Sequence, residues 1–224
     1  MKKICIVFVC LLFLNGVVHA QITKFRNYEV QPVSVQMSTV KIMGKTALRA
    51  VKDSGVKAFD EPTYIRLNNV DFKNGTIEVK VLSRLLPNAP DFARGFIGVA
   101  FRINDSNTKY ESIYVRPLNA RVNDQVRRNH SIQYYAYPDY KFDRLRKEAP
   151  EKYESYSDME MNKWIDLRIE VKDAEAKLFI NKSNQPSLVV TDLKLGANVS
   201  GAIALWVEIG TEGYFSDLKI TKKD

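Results

Sequence analysis

Apolar and polar residues alternate along much of this chain, and this period of two residues is what most restricts its fold. The clearest example is Trp164–Val171, where Ile165, Leu167, Ile169 and Val171 alternate with Asp166, Arg168 and Glu170. Successive side chains of a strand point to opposite faces, so the segment predicts a strand with one buried and one solvated face. Turn residues such as Asn74-Gly75 separate the alternating runs.

Ten segments predict strands, and one segment, Arg144–Tyr153, looks helical although Pro150 interrupts it. Many strands without crossover helices predict an all-β fold of two packed antiparallel sheets. Residues 21–41 are less regular and predict a leading edge strand or an arm, whereas residues 42–224 predict a single β-sandwich domain. The predicted strands are Thr46–Val51, Thr63–Leu67, Gly75–Leu82, Phe96–Ile103, Ser112–Arg116, Ser131–Tyr137, Trp164–Val171, Ala176–Ile180, Ala202–Glu208 and Tyr214–Thr221.

The first twenty residues have the layout of a secretory signal peptide. Lys2 and Lys3 form a basic start, Ile4–Leu14 is apolar, and Val18-His19-Ala20 is a small-residue cleavage pattern. We therefore predict cleavage after Ala20 and a secreted or periplasmic protein, with an uncleaved N-terminal anchor as the alternative. No later segment approaches the roughly 18 apolar residues of a membrane helix, so no transmembrane segment is expected after signal removal.

Cysteine usage and charge limit the chemistry of the remaining chain. Both cysteines, Cys5 and Cys10, lie in the predicted signal peptide, so residues 21–224 can hold no disulfide, thiolate nucleophile or cysteine-ligated metal. With one histidine left, no transition-metal site is expected. The net charge of +8 falls to about +6 without Lys2 and Lys3. In an exported chain this favours acidic polysaccharide or an anionic cell surface over nucleic acid, with simple solubility as the alternative.

Several stretches of the chain carry a resemblance to a known superfamily. They are NGTIEVKV (Asn74–Val81), GFIGVAFRI (Gly95–Ile103), WIDLRIEVKDAEAKLFIN (Trp164–Asn181), GAIALWV (Gly201–Val207) and YFSDLKI (Tyr214–Ile220). Together they resemble the concanavalin A-like lectin/glucanase superfamily, and more narrowly laminin-G-like modules and the bacterial 3-keto-disaccharide hydrolase-type domain. The likeness extends from about Thr46 to the C-terminus, and its motifs are structural rather than catalytic.

The resemblance implies a concanavalin A-like jelly-roll sandwich that binds ligands on a curved, open sheet face or its rim. It also places Asp217 where related folds sometimes hold structural calcium, so a structural calcium ion is one alternative. No dense acidic loop of the kind that binds calcium is present, however. No other cofactor is expected. The alternating acidic signature of laminarinase-like members is missing. The nearest pattern, Glu154, Asp158 and Glu160, falls in a predicted surface loop.

Alternation in the middle of the chain predicts a polar, ring-bearing surface, provided that three of the predicted strands are neighbours. Aromatic rings stack on the C–H faces of sugars, and arginine and amide groups bind hydroxyls or carboxylates, so we predict a carbohydrate contact patch. A solvated, charge-rich hairpin is the alternative. The predicted sheet residues are Arg102, Tyr114, Arg116, Gln133 and Tyr135, and the loop beyond them adds Asn119, Gln125, Arg127, Arg128 and Asn129.

His130 is the candidate catalytic residue, because its usual pKa lies near neutrality and Arg128 and Asn129 flank it. A hydrogen-bonding histidine at a strand start is the alternative reading. The leading functional prediction is an exported carbohydrate-binding domain, for anionic or modified glycans. The alternatives are a glycoside-cleaving hydrolase or lyase on the same surface, as the resemblance implies, and an envelope module that binds another protein.

Overall fold

The computed structural model describes residues 23–223. The signal peptide and cleavage site predicted for residues 1–20 lie outside the described residues. Within residues 23–223, no helix is long and apolar enough to cross a membrane. The two α-helices of this range are Gln125–Asn129 (α1) and Phe142–Glu148 (α2), and α2 ends before Pro150, which was predicted to interrupt a longer helix.

Strands make up most of the regular structure of residues 23–223. In chain order they are β1 (Thr23–Phe25), β2 (Tyr28–Val33), β3 (Val35–Ile42), β4 (Lys45–Lys52), β5 (Tyr64–Phe72), β6 (Asn74–Leu85), β7 (Ile97–Ile103), β8 (Tyr110–Val115), β9 (Ile132–Tyr137), β10 (Glu154–Ser155), β11 (Ile165–Lys172), β12 (Glu175–Ile180), β13 (Leu188–Val190), β14 (Gly201–Val207) and β15 (Thr211–Lys223).

The strands form two antiparallel sheets, which confirms the predicted all-β sandwich. The front sheet has the order β1-β2-β5-β14-β7-β8-β9-β10, and the back sheet has the order β13-β12-β11-β6-β15-β4-β3. Strands distant in sequence lie side by side, as where β14 separates β5 from β7. This connectivity is that of a jelly roll, in which strands of both sheets alternate along the chain.

The apolar faces of the two sheets pack together and form one large core. Leu167 and Ile169 of β11 face inward from the back sheet, as their alternation predicts. Ile97 and Val207 do the same from the front sheet, where a Cβ added to Gly213 of β15 would lie 2.4 Å from Val207 Cγ1. Glycine at this position therefore lets the two sheets approach closely.

The segment predicted as an edge strand or arm contributes strands to both sheets. Within it, β2 pairs with β5 in the front sheet, and β3 pairs with β4 at the edge of the back sheet. The alternation of this segment is weak because an edge strand leaves more of its side chains exposed on both faces, as β3 does.

A β-bulge near the end of β7 reverses the alternation there. Ala204 of β14 pairs with Ala100, but Ala202 pairs with Ile103, so β7 contains one extra residue. Arg102 lies in this bulge with a left-handed φ of 55°. The extra residue turns the Arg102 side chain away from the face that Ala100 occupies.

Arg102 consequently braces the turns at this end of the sandwich. Its guanidinium donates to the carbonyl oxygens of Lys73 (3.0 Å), Gly196 (2.8 Å) and Asp173 (2.7 Å), and the side chain is buried. Phe101 pairs with Glu111, whereas Ile97 pairs with Val115, so Arg102 lies at the opposite end of β7 and β8 from Arg116. Its predicted place in the carbohydrate patch is wrong.

Candidate functional site

The face of the front sheet that points away from the back sheet, called the outer face, carries a cluster of aromatic rings. Tyr114 lies 4.8 Å from Trp206 and 5.8 Å from Tyr135, measured between ring centroids. The ring of Tyr110 is 5.8 Å from Tyr135. Gly98 makes room for these rings, because a Cβ there would lie 2.5 Å from the Cβ of Tyr114. The small residues of β7 thus make space for the rings.

A loop and a short helix cover the outer face. The loop of residues 53–63, called the covering loop, accepts a hydrogen bond from Trp206 Nε1 at the carbonyl of Glu61 (3.0 Å). The backbone N–H of Phe142, at the start of α2, donates to Asp60 Oδ2 (2.9 Å), which ties α2 to this loop. The prediction of an open, ring-bearing sheet surface is therefore wrong, and Tyr135 is fully buried.

One end of the outer face remains open as a cavity of about 530 Å³. The cavity lies where β8 ends and α1 and α2 begin, so its wall combines strand ends, loops and both helices. Such mixed apolar and polar concavities are typical ligand sites. The lining residues are Phe59, Asp60, Phe92, Arg94, Phe96, Tyr114, Arg116, Asn119, Arg127, His130, Phe142, Arg146 and Glu208.

Arg116 is fixed at the bottom of the cavity by a network of hydrogen bonds. It follows β8 directly, and its Nη2 donates to the hydroxyl of Tyr114 (2.7 Å) and to Gln133 Oε1 (3.2 Å). Its Nη1 donates to Glu154 Oε1 (3.2 Å) and to the carbonyl of His130 (2.9 Å). A guanidinium held on so many acceptors is preorganised, so it presents a fixed positive charge.

Glu154 lies beneath the cavity and contacts three ionisable side chains. Its carboxylate accepts hydrogen bonds from Arg146 and Arg116 and lies 3.6 Å from His130 Nε2. Burial alone would raise the pKa of Glu154, but these positive neighbours outweigh burial and hold its pKa below the usual value. Burial lowers the pKa of His130, against the attraction of Glu154, so the neutral imidazole is favoured.

A second acidic group lies on the covering loop at the other side of the cavity. Asp60 is 2% exposed, and its Oδ2 is held by the N–H of Phe142 while its own N–H donates to Glu208 Oε2 (2.9 Å). Glu208 is itself ion-paired with Lys52. Burial raises the pKa of Asp60 to about 7, the backbone bond from Phe142 opposes this, and the charge of Glu208 adds to it.

The mouth of the cavity is aromatic and exposed. Phe59 and Phe92 are 41% and 48% exposed, and their rings meet edge to face with centroids 5.6 Å apart. Phe142 meets Phe59 in the same manner at 6.5 Å. Large exposed phenyl groups are unusual on a solvated surface, and here they are grouped at one opening.

The structure brings together four of the ten residues predicted for the sugar patch, and His130 with them. Tyr114, Arg116, Asn119, Arg127 and His130 line the cavity. Gln133 is buried behind Arg116 and does not reach the cavity, so its predicted surface position is wrong, as are those of Tyr135 and Arg102. Gln125, Arg128 and Asn129 lie on α1 outside the lining, where Gln125 bonds Asn129 and Arg128 lies over the ring of Tyr156.

The acidic residues considered in the sequence separate in space. Glu154 is buried on β10, whereas Asp158 is exposed and ion-paired with Arg121. Asp217 is ion-paired with Lys45 and Arg26. Among residues 23–223, no cluster of three or more histidine, cysteine or acidic residues that could hold a metal was found.

Sequence reasoning missed the residues that loops bring to the cavity. Phe59, Asp60, Phe92, Arg94 and Glu208 lie in or beside irregular segments, where alternation has no meaning. One signal was available: apolar phenylalanines in polar, turn-rich stretches such as KAFDEP and NAPDFARG have no strand to belong to. A ring that cannot join the core through its own strand is a candidate for a binding surface.

Comparisons with known proteins concern the fold. No protein-family model matches the sequence, and no curated protein matches it. A carbohydrate-binding module, CBM66, from Bacillus subtilis is similar in structure, with a TM-score of 0.53, 10% identity, and coverage of 84% of this chain and 94% of that chain. A Bacillus subtilis protein of unknown function with a galectin-like fold has a TM-score of 0.53, 8% identity, and coverage of 88% and 91%.

A third similar structure is a candidate glycosyl hydrolase from Parabacteroides distasonis, with a TM-score of 0.52 and 12% identity. The similarity covers 87% of this chain and 99% of that chain. These likenesses confirm the predicted fold, a jelly-roll β-sandwich of the galectin-like type. Because function depends on the site and not on the fold, the activity has to be argued from the cavity.

Proposed function

We propose that the protein binds carbohydrate in the cavity at the Arg116 end of the front sheet. The proposal rests on one observation: the cavity combines an exposed aromatic mouth, formed by Phe59 and Phe92, with a fixed polar floor around Arg116. The phenyl faces offer stacking surfaces for the C–H groups of a sugar ring, while guanidinium and amide donors bind its oxygens. The structural likeness to a carbohydrate-binding module supports this proposal.

The proposal includes an acidic ligand and an exported protein. Four arginines line the cavity, and two of them, Arg116 and Arg146, share the single carboxylate of Glu154. The wall therefore carries more positive than negative charge, which favours an anionic glycan. The signal-peptide pattern of residues 1–20 supports delivery to the periplasm or the medium, where such polysaccharides are met.

Replacing Phe92 with alanine should weaken glycan binding about 10-fold, because a stacked aromatic ring contributes on the order of 1.4 kcal/mol or more. A glycan array would identify the ligand, and titration calorimetry would compare the variant with the wild type. The free energy of unfolding should hardly change, because the Phe92 side chain is 48% exposed.

Val189→Ala is the matched control, since Val189 is an exposed apolar residue on β13 at the edge of the back sheet. This control should bind glycan like the wild type. Equal affinity of Phe92→Ala and wild type for the array ligand would contradict a site at this cavity. Capture of a protein partner without any glycan binding would instead favour the envelope-interaction alternative.

A second candidate function, glycoside cleavage at the same cavity, is favoured by Asp60. A carboxyl group with a pKa of about 7, lining a ligand-sized cavity, is half protonated at neutral pH and suits a general acid. Asp60 would protonate the leaving glycosidic oxygen while water attacks the anomeric carbon and releases a proton to solvent. His130 fits this role less well, because its Nε2 faces Glu154.

If the protein cleaves glycosides, Asp60→Asn should abolish turnover, whereas His130→Gln should keep most of it. The rate of the wild type should fall as the pH rises above about 7, since the general acid then loses its proton. Product release from 3-keto-glycosides and from acidic polysaccharides would measure this. Unchanged turnover in Asp60→Asn would contradict an acid role for Asp60, and no product from any substrate would leave binding as the function.

A further inference from the structure

Among the residues that the structure describes, two of the arginines at the cavity, Arg94 and Arg127, have no acidic partner. Within residues 23–223, neither guanidinium has a carboxylate within 4 Å. Arg94 lies in the loop between β6 and β7, two residues after Phe92, and Arg127 lies on α1. Both line the same cavity, so two positive charges, neither with a carboxylate within 4 Å among residues 23–223, face one space.

Backbone carbonyls hold one side of the Arg94 guanidinium. Its Nη1 donates to the carbonyls of Asp91 (2.6 Å) and Ala93 (2.7 Å). Among the described residues no acceptor is found for its Nε or Nη2. These two parallel donors form the edge of a guanidinium that matches the two oxygens of a carboxylate or sulfate.

Arg127 is also short of acceptors. Its Nη2 reaches Asn119 Oδ1 only at 3.5 Å, and its Nε is buried without a hydrogen-bond partner in the part of the chain that the structure describes. Asp124, the nearest acid in sequence, accepts the backbone N–H of Arg127 as the N-cap of α1. A buried donor without a partner costs free energy, so the protein itself satisfies the Arg127 guanidinium only weakly.

The two charges act on each other. Burial lowers the pKa of Arg94, and the positive charge of Arg127 lowers it further, while Asp91 opposes this. An anion placed between two such cations relieves their repulsion, so the folded protein gains from binding one.

We propose that Arg94 and Arg127 together bind one anionic substituent, a carboxylate or a sulfate ester, on the carbohydrate that occupies the cavity. This inference rests on the proposed function, because the sugar ring beside Phe92 would bring its substituent to Arg94. The ligand class is therefore a uronate-containing or sulfated glycan, and the anionic group adds affinity to the stacking of the ring on the mouth.

The pair Arg94 and Arg127, called the anion receptor, can be tested with small anions before the sugar is known. We would titrate the full chain with sodium glucuronate and with sodium sulfate at constant ionic strength, and follow the arginine Nε–H resonances by NMR. Saturable shifts at Arg94 and Arg127, absent at Arg84, support the proposal, and the anion that saturates distinguishes carboxylate from sulfate. Arg84 is the matched reference, since it lies on β6 of the back sheet and has no carboxylate within 4 Å among residues 23–223. Shifts that stay linear and equal at all three arginines overturn it.

Charge-removing variants extend the test to glycans. Arg94→Gln or Arg127→Gln should weaken binding of an acidic array ligand about 10- to 100-fold, since hydrogen bonds to charged groups are among the stronger ones. Each variant should bind the methyl-esterified or desulfated form of that ligand like the wild type, and Arg84→Gln should change neither. Equal affinity of the variants and the wild type for the acidic form overturns the receptor.

The two proposals can fail separately. Binding of neutral glycans with no anion response at Arg94 and Arg127 overturns the receptor and leaves the carbohydrate site standing. A saturable anion response without binding of any glycan supports the receptor and contradicts the carbohydrate proposal.

Discussion

Replacing Arg102 with alanine should lower the free energy of unfolding by about 3–5 kcal/mol, because each buried acceptor that loses its donor costs about 1–3 kcal/mol. Arg102 is fully buried and donates to three carbonyl oxygens, those of Lys73, Asp173 and Gly196. Without the guanidinium these carbonyls lose their partner in a confined place, and each unsatisfied group costs free energy. Urea unfolding followed by tryptophan fluorescence would measure the loss.

The same variant separates the structural role of Arg102 from the role first predicted for it. Arg102 lies at the far end of β7 from the cavity, so the fraction of the variant that folds should bind glycan with the affinity of the wild type. Arg84→Gln is the matched control for stability, and it should change the free energy of unfolding by no more than about 0.5 kcal/mol. A loss below about 1 kcal/mol in Arg102→Ala would show that the bracing bonds contribute little.

Alternation was sufficient to predict the fold but not the direction of every side chain. The strands around Trp164–Val171 and Phe96–Ile103 follow their predicted inward and outward faces as far as the ladder is regular. The bulge at Arg102 shifts the strand register by one residue, and no local sequence pattern indicates it. A register error of one residue moves a side chain to the opposite face, which is why Arg102 was misplaced.

The candidate site was only partly predictable for a related reason. Tyr114 lies near the end of β8 and Arg116 follows that strand directly, where alternation still indicates the outer face. Phe59, Asp60 and Phe92 reach the cavity because loops fold back over the sheet, and the loops are held there by long-range bonds such as that from Trp206 to Glu61. Such contacts depend on the tertiary structure, so no local pattern could have shown that the rings of β8 and β9 are covered.

The pH dependence of stability should change most on replacing Asp60 with asparagine. The pKa of Asp60 rises from 3.8 to about 7 on folding, so between about pH 4 and pH 7 the unfolded chain releases a proton that the folded chain keeps. Asp60 therefore lowers the free energy of unfolding by an amount that grows as the pH rises through this window and is constant above it. The asparagine side chain carries no charge, so at about pH 8 the variant should be more stable by about 2–4 kcal/mol.

The geometry allows this exchange, because an asparagine oxygen can still accept the N–H of Phe142 in place of Asp60 Oδ2. The two proteins should have similar free energies of unfolding near about pH 3, where the carboxyl is mostly protonated in both states. Asp139→Asn, which replaces an exposed acid in the turn before α2, should show no such divergence between the two pH values.

If Asp60→Asn is stabilised at high pH and fails to bind or cleave glycan, the Asp60 carboxyl is retained at a cost in stability because the cavity needs it. A difference that does not grow with pH would mean that Asp60 ionises in the folded protein as easily as in the unfolded chain, and the argument for a proton-transferring group in this cavity would be lost.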